Sequence, residues 1–237
     1  MSILPQAIRQ SLASLRQALL PCSSCLLCGA DSGAEILCAA CASELPSLPP
    51  QHCPCCALPT THGERCGACL VAPPHFDTCH AVFSYQFPAD RLIQALKYGH
   101  QLALAPWFAQ RLAVQMCAEA DTLILPLPLH PSRLQERGFN QSGEIARVLG
   151  NCLDLPVDRK SLRRSRATAR QAELPRQARH GNVKGAFECS RDFSHQNIIL
   201  VDDVLTTGAT ANECARVLKL HGAARVDIAV IARALRH

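Results

Sequence analysis

No apolar stretch in this sequence approaches the roughly 20 residues that a bilayer-spanning helix needs, so no transmembrane segment is expected. Nor is there a low-complexity run. With 48% hydrophobic and 18% charged residues, a disordered chain is excluded and a packed core of ordinary size is expected. A secretory signal is missing too. Arg9 and Arg16 interrupt the first 21 residues, whose Leu4, Ile8, Leu12, Leu15 and Leu19 recur in steps of three and four, the mark of an amphipathic helix. Aromatic residues are scarce at 4%, and none lies between Phe139 and Phe187. That stretch therefore lacks the rings on which single-stranded bases stack. These absences place the chain in the cytoplasm with its thiols reduced, reaching the inner face of the membrane only through partners.

Cysteine is the opposite case. Of 15 cysteines, 11 fall in the first 79 residues. Charge divides similarly, with net −1 over residues 1–75 and +6 over the remainder. A repeat organises the cysteines: Cys25-x2-Cys28 and Cys38-x2-Cys41 recur 28 residues later as Cys53-x2-Cys56 and Cys66-x2-Cys69. A CxxC turn lets two thiolates reach one tetrahedral ion, and two such turns close a site with no position open for water. The sequence therefore predicts two structural zinc ions. The register of the repeat selects Cys25 and Cys56 over their neighbours Cys22 and Cys55, although knuckles shared between the two sites would satisfy the same spacing. Such a short, proline-rich stretch cannot build a core of its own, so metal binding must supply much of its folding free energy. Its net −1 is the wrong sign for nucleic acid, which favours a docking role for partner proteins. The expected organisation is an amphipathic helix over 1–21, a double zinc ribbon over 22–75 and an α/β domain over 76–237. That last domain is expected to keep a core independent of the ribbons.

The run Asn197 to Asp202 is continuously apolar before its acid, as in a strand buried on both faces. Asp203, Val204 and Leu205 follow, then Thr206, Thr207, Gly208, Ala209 and Thr210, and then a helical pattern stopped by Gly222. Strand, acidic pair, small-residue loop and helix make a site for a sugar phosphate. The loop turns backbone N–H groups and hydroxyls toward one phosphate at a helix start, and Gly208 admits close approach. Asp202 and Asp203, at the strand's carboxyl end, can accept bonds from vicinal hydroxyls or steer a magnesium ion.

VDDVLTTGAT resembles the phosphoribosyl pyrophosphate (PRPP) motif of type I phosphoribosyltransferases. Nearly the whole chain is similar to one branch, the ComF (competence protein F, or GntX-like) family. The similarity runs through CLLCG, LCAAC, CPCCALP, CGACL and the pair Lys97-Tyr98. It continues through LPLPLHPSRLQERGFNQ (125–141), the Thr168/Gln171/Leu174 spacing and NVKGAF (182–187). One position departs: Ala178 stands where an acidic residue is usual before Arg179, so the local ion pair usual there is not expected.

The resemblance implies a type I phosphoribosyltransferase-like open, mainly parallel sheet with flanking helices, joined to the ribbons. It also implies magnesium bound with PRPP, and an association with natural transformation through the inward passage of single-stranded DNA. It does not establish a transferase reaction. Asp202 and Asp203 would hold the ribose hydroxyls and residues 206–210 the 5-phosphate. Pyrophosphate would lie by the turn after Leu123–Pro128, near Arg133, Arg137 and Asn140. Residues 159–179 carry eight Lys/Arg, Arg163 and Arg179 among them, against Glu173 alone. They are expected to form a mobile loop, either a lid over pyrophosphate or a grip on a nucleic-acid backbone. Three readings stay open: a ribose-phosphate-binding accessory of DNA uptake docked through its ribbons, an active phosphoribosyltransferase of unknown acceptor, and a nucleic-acid-binding module on this fold.

Overall fold

The computed structural model describes residues 23–117, 119, 121–166 and 183–235. The helix expected over 1–21, the Thr168/Gln171/Leu174 spacing and Arg179 lie outside these residues. The chain divides into two compact units, one ending at Leu45 and the other beginning at Pro46.

The first unit holds the first ribbon and its short helix α1 (Ala39–Ser43). The second opens with the second ribbon and helix α2 (Gly67–Val71). The two ribbons repeat not only in cysteines but bond by bond. Cys25 N donates to Ala30 O and Cys53 N to Leu58 O, each at 2.7 Å, and Ala42 N→Cys38 O recurs as Leu70 N→Cys66 O, each at 3.0 Å. The bridge Ser24–Asp31 likewise recurs as His52–Pro59. Each CxxC turn needs a left-handed residue four positions after its first cysteine. In one ribbon it is Gly29 and in the other Ala57, at φ 75° and 56°.

Four parallel strands form the main sheet in the order β1 (Thr78–Ser84), β6 (Arg225–Arg233), β5 (Asn197–Leu205), β2 (Thr122–Pro126). β2 is buried throughout and β5 along its apolar run, as the continuous hydrophobic patterns predict for strands covered on both faces. Helices α3 (Ala89–Tyr98), α4 (Leu104–Ala113), α5 (Pro131–Arg137) and α6 (Gln141–Leu153) come between β1 and β3, and α4 packs against α6. Helix α7 (Ala209–Leu220) links β5 to β6. β3 (Leu162–Arg164) pairs antiparallel with β4 (Phe187–Cys189), and α7 packs on that pair.

Two expectations change here. The second unit's core is not independent of the ribbons. Cys53, Cys55, Ala57, Leu58 and Cys69 belong to the same buried cluster as Leu200, Leu205 and Val230. A ribbon too small to bury its own apolar atoms covers the sheet instead. The basic segment, in turn, is not wholly a loop. Leu162 turns inward and Arg164 lies over the Phe187 ring, 5.4 Å from its centroid, so cross-strand pairing organises its first part.

Candidate ribose-phosphate site and metal centres

In each ribbon, four cysteine sulfurs lie within 4.8 Å of one another: Cys25, Cys28, Cys38 and Cys41 in the first, Cys53, Cys56, Cys66 and Cys69 in the second. Sγ–Sγ separations of 3.7 Å for Cys28–Cys38 and 3.6 Å for Cys56–Cys66 match the edge of a ZnS4 tetrahedron, about 3.8 Å for Zn–S bonds near 2.3 Å. A disulfide would bring the atoms much closer, and all these cysteines are free. Without an ion the thiols share protons unequally. The Cys38 backbone N–H draws Cys25 down to about 6, while hydrogen bonding to Cys28 and Cys38 holds Cys41 up to about 12. A divalent cation takes all four as thiolates. Cys55 points away from the group, its thiol 3.8 Å from the Phe76 carbonyl. The ligand sets are those that the repeat selects, and they are zinc ribbon sites.

The acidic pair lies in the last third of β5, which runs on to Leu205. Asp203 is buried and spends both oxygens: Lys97 Nζ is 2.8 Å from Oδ1, and Gln141 Nε2 donates to Oδ2 at 2.8 Å. Asp202 is half-buried. Its Oδ1 accepts from Ser142 Oγ at 3.0 Å and from Asp203 N at 2.9 Å. Burial, reinforced by the charge of Asp203, pushes the Asp202 carboxyl up to about 7 against the pull of Lys97. Lys97 itself is held above the ordinary lysine value, since the attraction of Asp203 outweighs a large opposing burial penalty.

Parallel register sets what surrounds these acids. Pro126 pairs with Val201, and Leu127 N donates to Val201 O at 2.8 Å, so the chain leaving β2 passes beside Asp202. It enters α5, where Arg133 and Arg137 are four residues apart and share a face. Both line a cavity of about 120 Å3 with Lys97, Tyr98, His100 and Glu136. Arg137 donates to Gln141 Oε1 at 2.6 Å, which links the cavity to Asp203 through one amide. Asn140 is occupied otherwise: it caps α6 through Ser142 N at 3.1 Å and donates to Leu127 O at 3.1 Å. It therefore fixes the turn rather than lining the cavity.

Beyond β5, residues 206–208 bend into α7, with Gly208 left-handed at φ 79° as its cap. Thr207 Oγ1 accepts from Ala209 N at 3.3 Å. Thr206 is exposed, whereas Thr207, Gly208 and Thr210 are partly exposed and Ala209 is buried. Loop and basic turn leave adjacent strands at the same sheet edge, the geometry of a ligand crevice in open α/β sheets. Arg163 is exposed on β3, its Nε donating to Lys160 O at 3.1 Å, and does not line the cavity.

Sequence reasoning passed over Lys97, Gln141 and Ser142 as site residues, although each lies in a motif already singled out. It also missed Arg233, buried where β6 ends. The available signal was a lone arginine closing the apolar run Val226–Ala232.

Residues 15–70 match the double zinc ribbon domain and residues 134–236 the phosphoribosyl transferase domain. The chain is 33% identical over 191 residues to the DNA utilization protein YhgH of Escherichia coli (strain K12), covering 77% of this chain and 84% of that one. It is 31% identical over 209 residues to competence protein F of Haemophilus influenzae, covering 84% and 90%. A solved glutamine PRPP amidotransferase from B. subtilis aligns with 54% of this chain and 26% of its own length, at 21% identity and a TM-score of 0.39. Among the described residues, no helix is long and apolar enough to cross a membrane.

Proposed function

The chain belongs to the competence protein F family of phosphoribosyltransferase-domain proteins with a double zinc ribbon, and on that premise we propose that it binds PRPP or a related ribose phosphate in the handling of incoming single-stranded DNA. One observation carries the reading. The acids Asp202 and Asp203 stand between a small-residue loop at a helix start and a cavity bearing Lys97, Arg133 and Arg137. A ribose whose hydroxyls meet the acids would have its 5-phosphate at Thr206–Thr210 and its pyrophosphate toward the basic cavity.

Magnesium fits this site as a companion of PRPP, not as a resident of a protein cage. Among the described residues, the only metal-like clusters are the two cysteine groups. Asp203 is already spent on Lys97 and Gln141, whereas Oδ2 of Asp202 has no protein partner among the described residues. A cation held by the pyrophosphate oxygens would need one such carboxylate at most. Arg163 and Arg179 are assigned to the outer rim of the anion site. The ribbons, with their slight negative charge, are assigned to docking proteins of DNA uptake.

The test is calorimetry of PRPP with magnesium, followed by pyrophosphate release against a panel of bases. Asp202→Asn is the cleaner variant, because Asp203→Asn would strand the ammonium of Lys97. Its PRPP affinity should fall at least roughly tenfold, about 1.4 kcal/mol. Wild-type affinity in this variant would sink the reading. Pyrophosphate release with one base would add the transferase activity.

A further inference from the structure

Arg233 joins three segments that are far apart in sequence. Its side chain is buried, 4% exposed, at the carboxyl end of β6. Nε donates to the carbonyl of Cys56 at 2.7 Å. Nη1 donates to the carbonyls of Leu205 at 2.6 Å, Thr206 and Ala234. Cys56 is a ligand of the second metal site, and Leu205 and Thr206 are where β5 becomes the phosphate loop. One charged donor thus holds the metal knuckle and the loop to the same strand end. Charge-assisted bonds of this kind are stronger than neutral ones, and a buried donor that loses its acceptor carries a large desolvation cost.

Two further contacts run the same way. His75 N, just past the ribbon, donates at 2.6 Å to Oδ1 of Asn212 in the first turn of α7. Phe76 packs beside Gly208: a Cβ there would meet the ring at 3.9 Å. Phe76 is itself held from the ribbon side by Cys55. Between ribbon and loop lies a cleft of about 340 Å3, with Leu58, Cys69 and Pro74 on one wall and Thr207, Gly208 and Asn212 on the other.

Small zinc ribbons are unfolded without their metal. Loss of the ion from the second ribbon would release the Cys56 carbonyl, and Arg233 would have to move with the Leu205–Thr206 carbonyls it also holds. We propose that Arg233 is a positioning residue that couples metal loading of the second ribbon to the shape of the phosphate loop. Ribose-phosphate binding and zinc retention at Cys53, Cys56, Cys66 and Cys69 then reinforce each other. The inference rests on the reading of Thr206–Thr210 as a 5-phosphate site. Because linkage is reciprocal, a ligand on the loop must slow loss of that zinc.

The experiment uses the full chain with both zinc ions. Zinc transfer to a chromogenic chelator is followed with and without ribose 5-phosphate, at saturation established by calorimetry. One of the two ions should leave about fivefold or more slowly with ligand bound. In Cys66→Ser the single remaining ion should leave at a ligand-independent rate, and ribose 5-phosphate should bind more weakly than to wild type. Arg233→Met should keep two ions and lose the ligand's protection, and Arg233→Lys should restore part of it. If Arg233→Met fails to fold, the comparison of wild type with Cys66→Ser decides alone. Ligand that binds yet slows neither ion, or that binds Cys66→Ser as tightly as wild type, overturns the coupling. A wild type that does not bind ribose 5-phosphate overturns the reading of the loop, and the coupling with it.

Discussion

Asp202 and Asp203 are chemically unlike despite their adjacency, because strand alternation aims them differently. Asp203 meets Lys97 and Gln141 and carries its charge in a buried, fully bonded setting. Asp202, with Ser142 and one backbone N–H for company, has its carboxyl at about 7 by burial and by its neighbour's charge. A carboxyl raised on folding takes up a proton. The folded state is therefore favoured at low pH and loses that advantage as pH rises from the unfolded value, about 4, through 7. Asp202→Asn should thus melt above wild type, with a gain that grows between pH 5 and 7.5 and then levels off, as thermal scans at several pH values would show. Ligand binding runs the other way, since ribose hydroxyls and magnesium want the ionised form. Wild-type affinity for PRPP with magnesium should rise about tenfold from pH 6 to pH 8 by titration of one group near 7, and the rise should vanish in Asp202→Asn.

Among elements, β3 is the one whose sequence hid its structure. Leu162 in, Arg163 out and Arg164 in is an alternation of three residues, and two of them are charged. What turns it into a strand is Phe187 on β4, which no local pattern announces. The consequence divides two adjacent arginines. Arg163→Ser, at an exposed position, should change stability by less than about 0.5 kcal/mol in denaturant titration. Arg164→Ser removes a cation over an aromatic ring and should cost on the order of 1 kcal/mol. Equal losses would mean that the strand pair does not form. By contrast β2, β5 and the paired ribbons could be read directly, because unbroken apolar runs and a 28-residue period have few other physical meanings. The pattern for β5 stopped at Asp202 although the strand continues to Leu205, because side chains there serve the site and no longer the core. Lys97, Gln141 and Ser142 escaped for a related reason: each sits at a helix end, and only the parallel register of β2 and β5 brings those ends together.

At the scale of the molecule, two ribbons with one backbone plan meet different fates, because the division between compact units falls between them. Cys38→Ser should cost one zinc ion and leave the melting of the unit that begins at Pro46 nearly unchanged. Cys66→Ser should cost one ion and lower that melting temperature by several degrees, since Cys53, Cys69 and Leu58 lie in its core. Metal analysis with calorimetry would check both, and equal effects would mean that the second ribbon is as separable as the first. The strand order adds a constraint of timing. β6, the last strand in sequence, lies between β1 and β5, and Thr78 reaches its partner Asp227 across 149 residues of chain. At about 5–20 residues per second, a ribosome needs roughly 7 to 30 s to supply that partner. Through that interval β1 emerges with its β6 side unpaired, while the cysteines before it are already available to an ion. For the nascent chain, zinc capture can precede the sheet by many seconds.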